Sequence, residues 1–169
     1  MEWKAFELRP GVPLEGIPRP LKPGQKNELA SSVKTLSDEV GLKMKRPEFV
    51  ACSRPALEAA EYAKDQMKFD EFHLSVFKAY WEDGKNIGQR SVLCEIASEC
   101  GMDGNKLEEA LKEGRYAGRV NEQNEEARVL GITGIPAYII GGYLVEGAQP
   151  YQIFKRAVEL VQQEKETKE

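Results

Sequence analysis

The stretch GITGIPAYIIGG, residues 131–142, constrains this chain more than any other. A glycine-rich turn runs into Pro136, an apolar run follows, and a glycine pair closes it. Proline has no N–H for a β-ladder, so within sheets it is confined to edges, bulges or the first residue of a strand. The pattern predicts a buried strand opened by Pro136, a tight turn at Gly141-Gly142 and a second strand over YLVEGA. Pro150 then opens a last helix with Ile153, Phe154, Ala157, Val158 and Val161 on one face, and the tail QQEKETKE is expected to fray beyond it.

What precedes this unit has a different period. Trp3 to Leu8 alternates like a short strand and stops at Arg9-Pro10. RPGVPLEGIPRPLKPGQ holds five prolines and three glycines and reads as an ordered surface connection anchored by Leu14, Ile17 and Leu21. From about residue 26 the apolar spacing turns helical, first with Leu29, Val33, Leu36 and Val40 ahead of Gly41. A second helix starts at Pro55, with Ala56, Ala59, Ala60, Ala63 and Met67 on one face. A third carries Phe69, Phe72, His73, Val76, Phe77 and Tyr80. A fourth carries Leu93, Ile96, Ala97 and Cys100, a fifth follows Asn105 as N-cap, and a sixth spans Tyr116 to Leu130. The order is strand, long helical block, hairpin, helix.

Bulk properties narrow the function classes. The 169 residues carry a net charge of −4, which argues against a nucleic-acid surface. The chain has no apolar run of membrane-spanning length, and MEWKAFELRP lacks the basic region and apolar core of a secretory signal. Cys52, Cys94 and Cys100, without regular spacing, fit a reducing compartment, so a cytoplasmic location is expected, with neither nucleic acid nor membrane as partner.

These segments carry a resemblance. GITGIPAYIIGGYLVEGAQPYQIFKRAVEL resembles the closing β-β-α unit of the DsbA-like branch of the thioredoxin superfamily, where a residue-Pro pair in a cis peptide opens a strand. AYWEDGKNIGQRSVLCEIASECGMD resembles the helical insertion of that branch, and WKAFELRP resembles the strand before it. The nearest patterns are the cytoplasmic DsbA-family thiol–disulfide oxidoreductases and the 2-hydroxychromene-2-carboxylate isomerases. The resemblance implies a single thioredoxin-like α/β domain of DsbA type. Residues 1–9 and 131–166 would form its thioredoxin-like parts, and about 42–130 its helical insertion. It also implies that Gly134, Ile135 and Pro136 hold an extended peptide or thiol substrate through backbone hydrogen bonds, and that Phe77, Tyr80 and Trp81 line the groove. Gly131 and Gly134 suit a close approach there, and Thr133 offers a hydroxyl to a local backbone group. On the residues alone, a Pro136 that merely starts a strand remains open.

The family's chemistry resides in a C-x-x-C at a helix N-terminus, which lowers the pKa of the attacking cysteine. No C-x-x-C occurs in this sequence, so no catalytic residue is assigned. Measured against the family pattern, the first strand and helix are expected to be missing, and the gap to be closed by homodimerisation or strand exchange. Cys94 and Cys100, six residues apart on one helix, have Cα atoms about 9 Å apart along the axis, beyond disulfide reach. They read as small buried apolar groups, and the partnering of Cys52 is open.

His73 sits on an aromatic face, where a structural histidine and a general base both remain open, the latter with no partner to name. No histidine–cysteine cluster has metal spacing. Three functions follow: an oxidoreductase whose thiol pair lies outside this chain, a redox-inert peptide-binding module, or an isomerase of the same fold with glutathione as cofactor. In the first, the chain by itself is expected to be inactive.

Overall fold

The computed structural model describes residues 1–167, in two compact units, Met1–Gln123 and Asn124–Glu169. The first unit is helical. Four helices, α2 (Arg54–Asp65), α3 (Phe69–Trp81), α4 (Arg90–Glu99) and α5 (Gly104–Lys112), follow α1 (Ser31–Glu39) and precede α6 (Ala117–Val129), which runs from the first unit into the second. Their apolar stripes meet in one core, with Ala59, Ala63, Phe72, Leu93, Ile96, Ala97, Leu107 and Ala110 almost completely buried. The small residues of α2 let its neighbours approach closely, and Phe72 and Leu93 fill the space between them, giving the dense packing of a protein interior.

The helix ends follow local chemistry. Gly41, Gly84, Gly101 and Gly131 take positive φ just past their helices, the conformation glycine adopts without a Cβ penalty. Two expectations fail here. The cap of α5 is Asp103, whose carboxylate accepts from the N–H groups of Asn105 (3.0 Å) and Lys106 (3.1 Å); Asn105 lies inside the helix. Met67 is not on the buried face of α2. The helix ends at Asp65, Met67 takes φ +56°, and its side chain is 92 % exposed.

Trp3–Leu8 is extended but joins no ladder among the described residues. Two of its backbone groups are taken by side chains instead. Lys64 Nζ donates to the Trp3 carbonyl (2.7 Å), and the Ala5 N–H donates to Gln123 Oε1. Arg54 reaches Glu7 (3.4 Å) while also holding Glu58 (2.7 Å) and the Ala117 carbonyl (2.9 Å). A ladder was unnecessary because the segment finds its partners on α2 and α6.

The proline-rich connection contributes a strand that its composition hides. β1 (Ile17–Pro18) pairs antiparallel with β2 (Phe49–Val50), with Ile17 opposite Val50. Gly16 makes this possible: at φ +85°, a Cβ there would lie 2.9 Å from both the Phe49 ring and the Val50 carbonyl. The expected anchors Leu14, Ile17 and Leu21 are exposed, and it is Val12 that is buried. On α1 the stripe Val33, Leu36 and Val40 is likewise exposed, since only Ser37 of that helix is buried.

In the second unit β3 (Ala137–Ile140) and β4 (Tyr143–Glu146) form a hairpin, and α7 (Tyr151–Glu166) packs on one face. Tyr138 meets Phe154 edge-on with ring centres 4.9 Å apart. Gly141 lets the turn close on Val161, where a Cβ would come within 2.4 Å of a methyl group. α7 extends through the charged tail to Glu166 rather than fraying, with the Thr167 hydroxyl bonded to the Gln163 carbonyl; residues 168 and 169 lie outside the described part.

Candidate functional site

The loop that links α6 to β3 is built from the backbone outward. Gly131 (φ +75°) ends α6, and the chain then turns into Pro136 through a cis Ile135–Pro136 peptide. The Pro136 carbonyl accepts from Gly147 N–H at 2.7 Å, which ties the start of β3 to the end of β4. Among the described residues neither the N–H nor the carbonyl of Ile135 has a hydrogen-bond partner, and its side chain is 54 % exposed. Gly134 stands in the open. No atom lies within 4 Å of where its Cβ would stand, and its φ is not positive, so open space rather than close self-packing surrounds it. Thr133 makes no hydrogen bond to the local backbone among the described residues.

β3 is paired only with β4, so its other edge carries unpaired N–H and C=O groups among the described residues. On the hairpin face opposite Tyr138 and Val145, Ile139 stands directly across from Leu144, and they are 47 % and 39 % exposed.

In the helical unit the three aromatic candidates divide into two groups. Tyr80 and Trp81 are in contact (5.2 Å, edge-on), and Tyr80 also meets the Phe49 ring (6.0 Å) and donates to the Phe49 carbonyl at 2.8 Å. Burial pushes the Tyr80 hydroxyl above its ordinary pKa, which suits a group serving as a fixed donor. Phe77, 52 % exposed, instead packs on His73 (4.7 Å), one turn earlier on α3.

The three thiols are unbridged. Cys52 is buried, Cys94 and Cys100 are half-buried, and all three are free. Burial pushes the Cys94 thiol up, opposite to what an attacking thiolate needs. Cys100 follows the last residue of α4, and its Sγ lies 3.6 Å from Ser75 Oγ. No group of three or more metal-ligating side chains occurs among the described residues, and no helix of the described residues is long and apolar enough to cross a membrane. Sequence reading missed a charged cluster in which Asp65 accepts from Tyr116 (2.9 Å) and Arg119 (2.9 Å), beside a buried Glu61 that Lys64 pairs at 2.6 Å. Only the Glu61–Lys64 spacing of three on one helix was readable in advance.

Residues 1–159 match the family described as the DSBA-like thioredoxin domain, and the chain belongs to that family. The Bacillus subtilis (strain 168) protein YwbO, itself uncharacterised, is 28 % identical over 170 residues, covering 98 % of this chain and 84 % of YwbO. Among solved structures, a probable DsbA oxidoreductase from Streptomyces coelicolor superposes with a TM-score of 0.78 at 23 % identity, covering 92 % of this chain and 72 % of the other. A candidate protein disulfide isomerase from Nitrosomonas europaea superposes at 0.65 with 16 % identity, over 83 % and 79 % of the two chains. The helix-rich α/β architecture is therefore the thioredoxin-like fold of DsbA type.

Proposed function

We propose that this chain is the substrate-holding part of a DsbA-family thiol–disulfide oxidoreductase. The observation that carries the reading is the open backbone of Ile135 beside the empty space over Gly134, on a chain of this family. An extended peptide or thiol substrate lies along this loop. Its main chain donates to the Ile135 carbonyl and accepts from the Ile135 N–H, as in strand addition. The thiol pair that exchanges with it is not among Cys52, Cys94 and Cys100, so the 169 residues alone do not turn over disulfides, and the chain works in the cytoplasm.

The test pairs two assays. A fluorescent unfolded peptide is titrated by anisotropy, and insulin reduction is followed with dithiothreitol as reductant. Expected are peptide binding that survives replacement of all three cysteines by alanine and no turnover above background. Gly134→Val, which fills open space, weakens binding by about tenfold while leaving the thermal midpoint in place. Absence of peptide binding, or binding unaffected by Gly134→Val, overturns the reading. Binding of reduced glutathione in preference to peptide would instead favour the isomerase branch.

The hairpin supports a second element. Ile139 and Leu144, exposed and opposite each other beside an unpaired β3 edge, form the surface on which a second copy of the chain associates.

A further inference from the structure

Trp3 lies on the aromatic ridge of α3. Its ring centre is 4.7 Å from that of His73 and 6.3 Å from Phe69. His73 is itself stacked on Phe69 (5.1 Å, 29°) and tilted on Phe77 (4.7 Å), so the imidazole has an aromatic neighbour on three sides. Among the described residues no carboxylate or carbonyl accepts from either of its ring nitrogens.

The backbone of the same segment is fastened close by. Lys64 Nζ donates to the Trp3 carbonyl and stands 5.3 Å from the Phe69 ring centre, with Glu61 as its ion-pair partner. The charged groups around the imidazole are thus Lys64 with Glu61 from α2, Asp70 from its own helix, and the exposed Glu2–Lys4 pair flanking Trp3. Burial among the rings opposes a proton on His73 and outweighs Asp70, which favours it.

We propose that the Trp3–His73 contact is an acid-sensitive latch, which holds the amino-terminal segment on the helical unit while His73 is neutral and releases Trp3 when His73 is protonated. The neutral ring stacks at a much smaller desolvation cost than the charged one. An imidazolium in the same place would be shielded from water on three sides, beside an ammonium already spent on Glu61 and the Trp3 carbonyl. Release moves the imidazole toward water and uncovers the faces of Phe69 and Phe77. Glu7 and Ala5 remain tied through Arg54 and Gln123, so only the first turn of the segment lifts.

The sign follows from linkage. Burial holds the docked His73 below its ordinary 6.5, so the released state binds the proton more readily. Docking is at full strength above 6.5. It weakens by up to about tenfold per pH unit as pH falls from there through the docked pKa.

Trp3 and Trp81 are the two tryptophans, so Trp81→Phe makes Trp3 the sole reporter. Its steady-state anisotropy is expected to fall in one step between neutral and mildly acidic pH, with a midpoint below 6.5, while far-ultraviolet circular dichroism stays constant. In the same background His73→Phe and His73→Gln remove the step. If Trp81→Phe does not fold, 5-fluorotryptophan is placed in the native chain and the Trp3 fluorine resonance, assigned with Trp3→Phe, is followed over the same range. An anisotropy or shift that stays flat with pH, or a step that persists in both His73 variants, overturns the latch.

Discussion

The Tyr116 hydroxyl donates to the Asp65 carboxylate at 2.9 Å, and Arg119 holds the same carboxylate from the other side at 2.9 Å. The pair joins the end of α2 to the start of α6 across 51 residues of sequence. Tyr62 packs edge-on against Tyr116 (6.1 Å), and Arg119 stands over its ring at 5.2 Å, so hydroxyl, ring and carboxylate are all engaged.

This arrangement fixes an alkaline signature. Burial first, and the hydrogen bond to Asp65 second, push Tyr116 up to about 12 from an ordinary 10.0. The folded state keeps the proton that the unfolded state releases, so the bond's contribution is complete below pH 10 and fades between 10 and about 12. Tyr116→Phe is expected to cost about 0.5–1.5 kcal/mol at neutral pH, toward the low end because the site is partly solvated. The gap between the thermal midpoints of the two proteins should close as pH rises through that window. A gap that is constant from neutral to strongly alkaline pH would show that the hydroxyl contributes nothing specific.

Capping gives the second prediction. Asp103 accepts from two orphan N–H groups of α5, whereas Asn105 only lies on its exposed side. Asp103→Ala should therefore cost about 1 kcal/mol in urea unfolding, and Asn105→Ala no more than about 0.5 kcal/mol. Equal losses would return the cap to Asn105.

The miss over that cap shows where sequence reading was sound and where it stopped. Apolar spacing placed the helices and the β3–β4 hairpin, because each of these elements is specified by its own neighbours in the chain. Boundaries slipped by one to three residues where two capping residues stood close together, as at Asp103 and Asn105, or where a residue left the helix with positive φ, as at Met67. The extended segment from Trp3 was taken for a strand, since alternation cannot say whether a backbone will pair with another backbone or with Lys64 and Gln123. The β1–β2 bridge was illegible because its two residues, one of them proline, lie more than 30 positions from their partners. For the candidate site, the loop at Pro136 was readable from its own glycines and proline. The split of Phe77 from Tyr80 and Trp81 was not, since Tyr80 is drawn to Phe49, which arrives from a distant part of the chain, while Phe77 packs on His73.

The thiols supply a third prediction. Burial holds the Cys94 thiol up, so it keeps its proton at neutral pH, and Cys52 is buried away from reagents. Ellman's reagent should label these two slowly in the native protein and all three cysteines rapidly in guanidinium chloride. Rapid native labelling of Cys94 would reopen a redox role for a cysteine of this chain.

Association through the hairpin can be separated from folding. Ile139 and Leu144 are a directly opposed pair in the antiparallel register, close enough to act as one apolar patch. Alternation puts only Ala137 and Glu146 beside them on that face, so a single carboxylate is all that discourages contact. The neighbouring β3 edge offers N–H and C=O groups that proteins usually protect with charge, proline or a covering element. Here Pro136 blocks only its first position. Because Leu144 is already partly in water, Leu144→Lys removes little from the fold and is expected to change stability by no more than about 0.5 kcal/mol. It does place an ammonium in the middle of the patch, where a second copy would have to desolvate it. Sedimentation velocity at micromolar concentration should find a dimer for the native chain, and a dissociation constant at least about tenfold weaker for Leu144→Lys. A native chain that sediments as a monomer rules out this surface as a self-association site, and a variant that dimerises as tightly as the native chain moves the contact elsewhere.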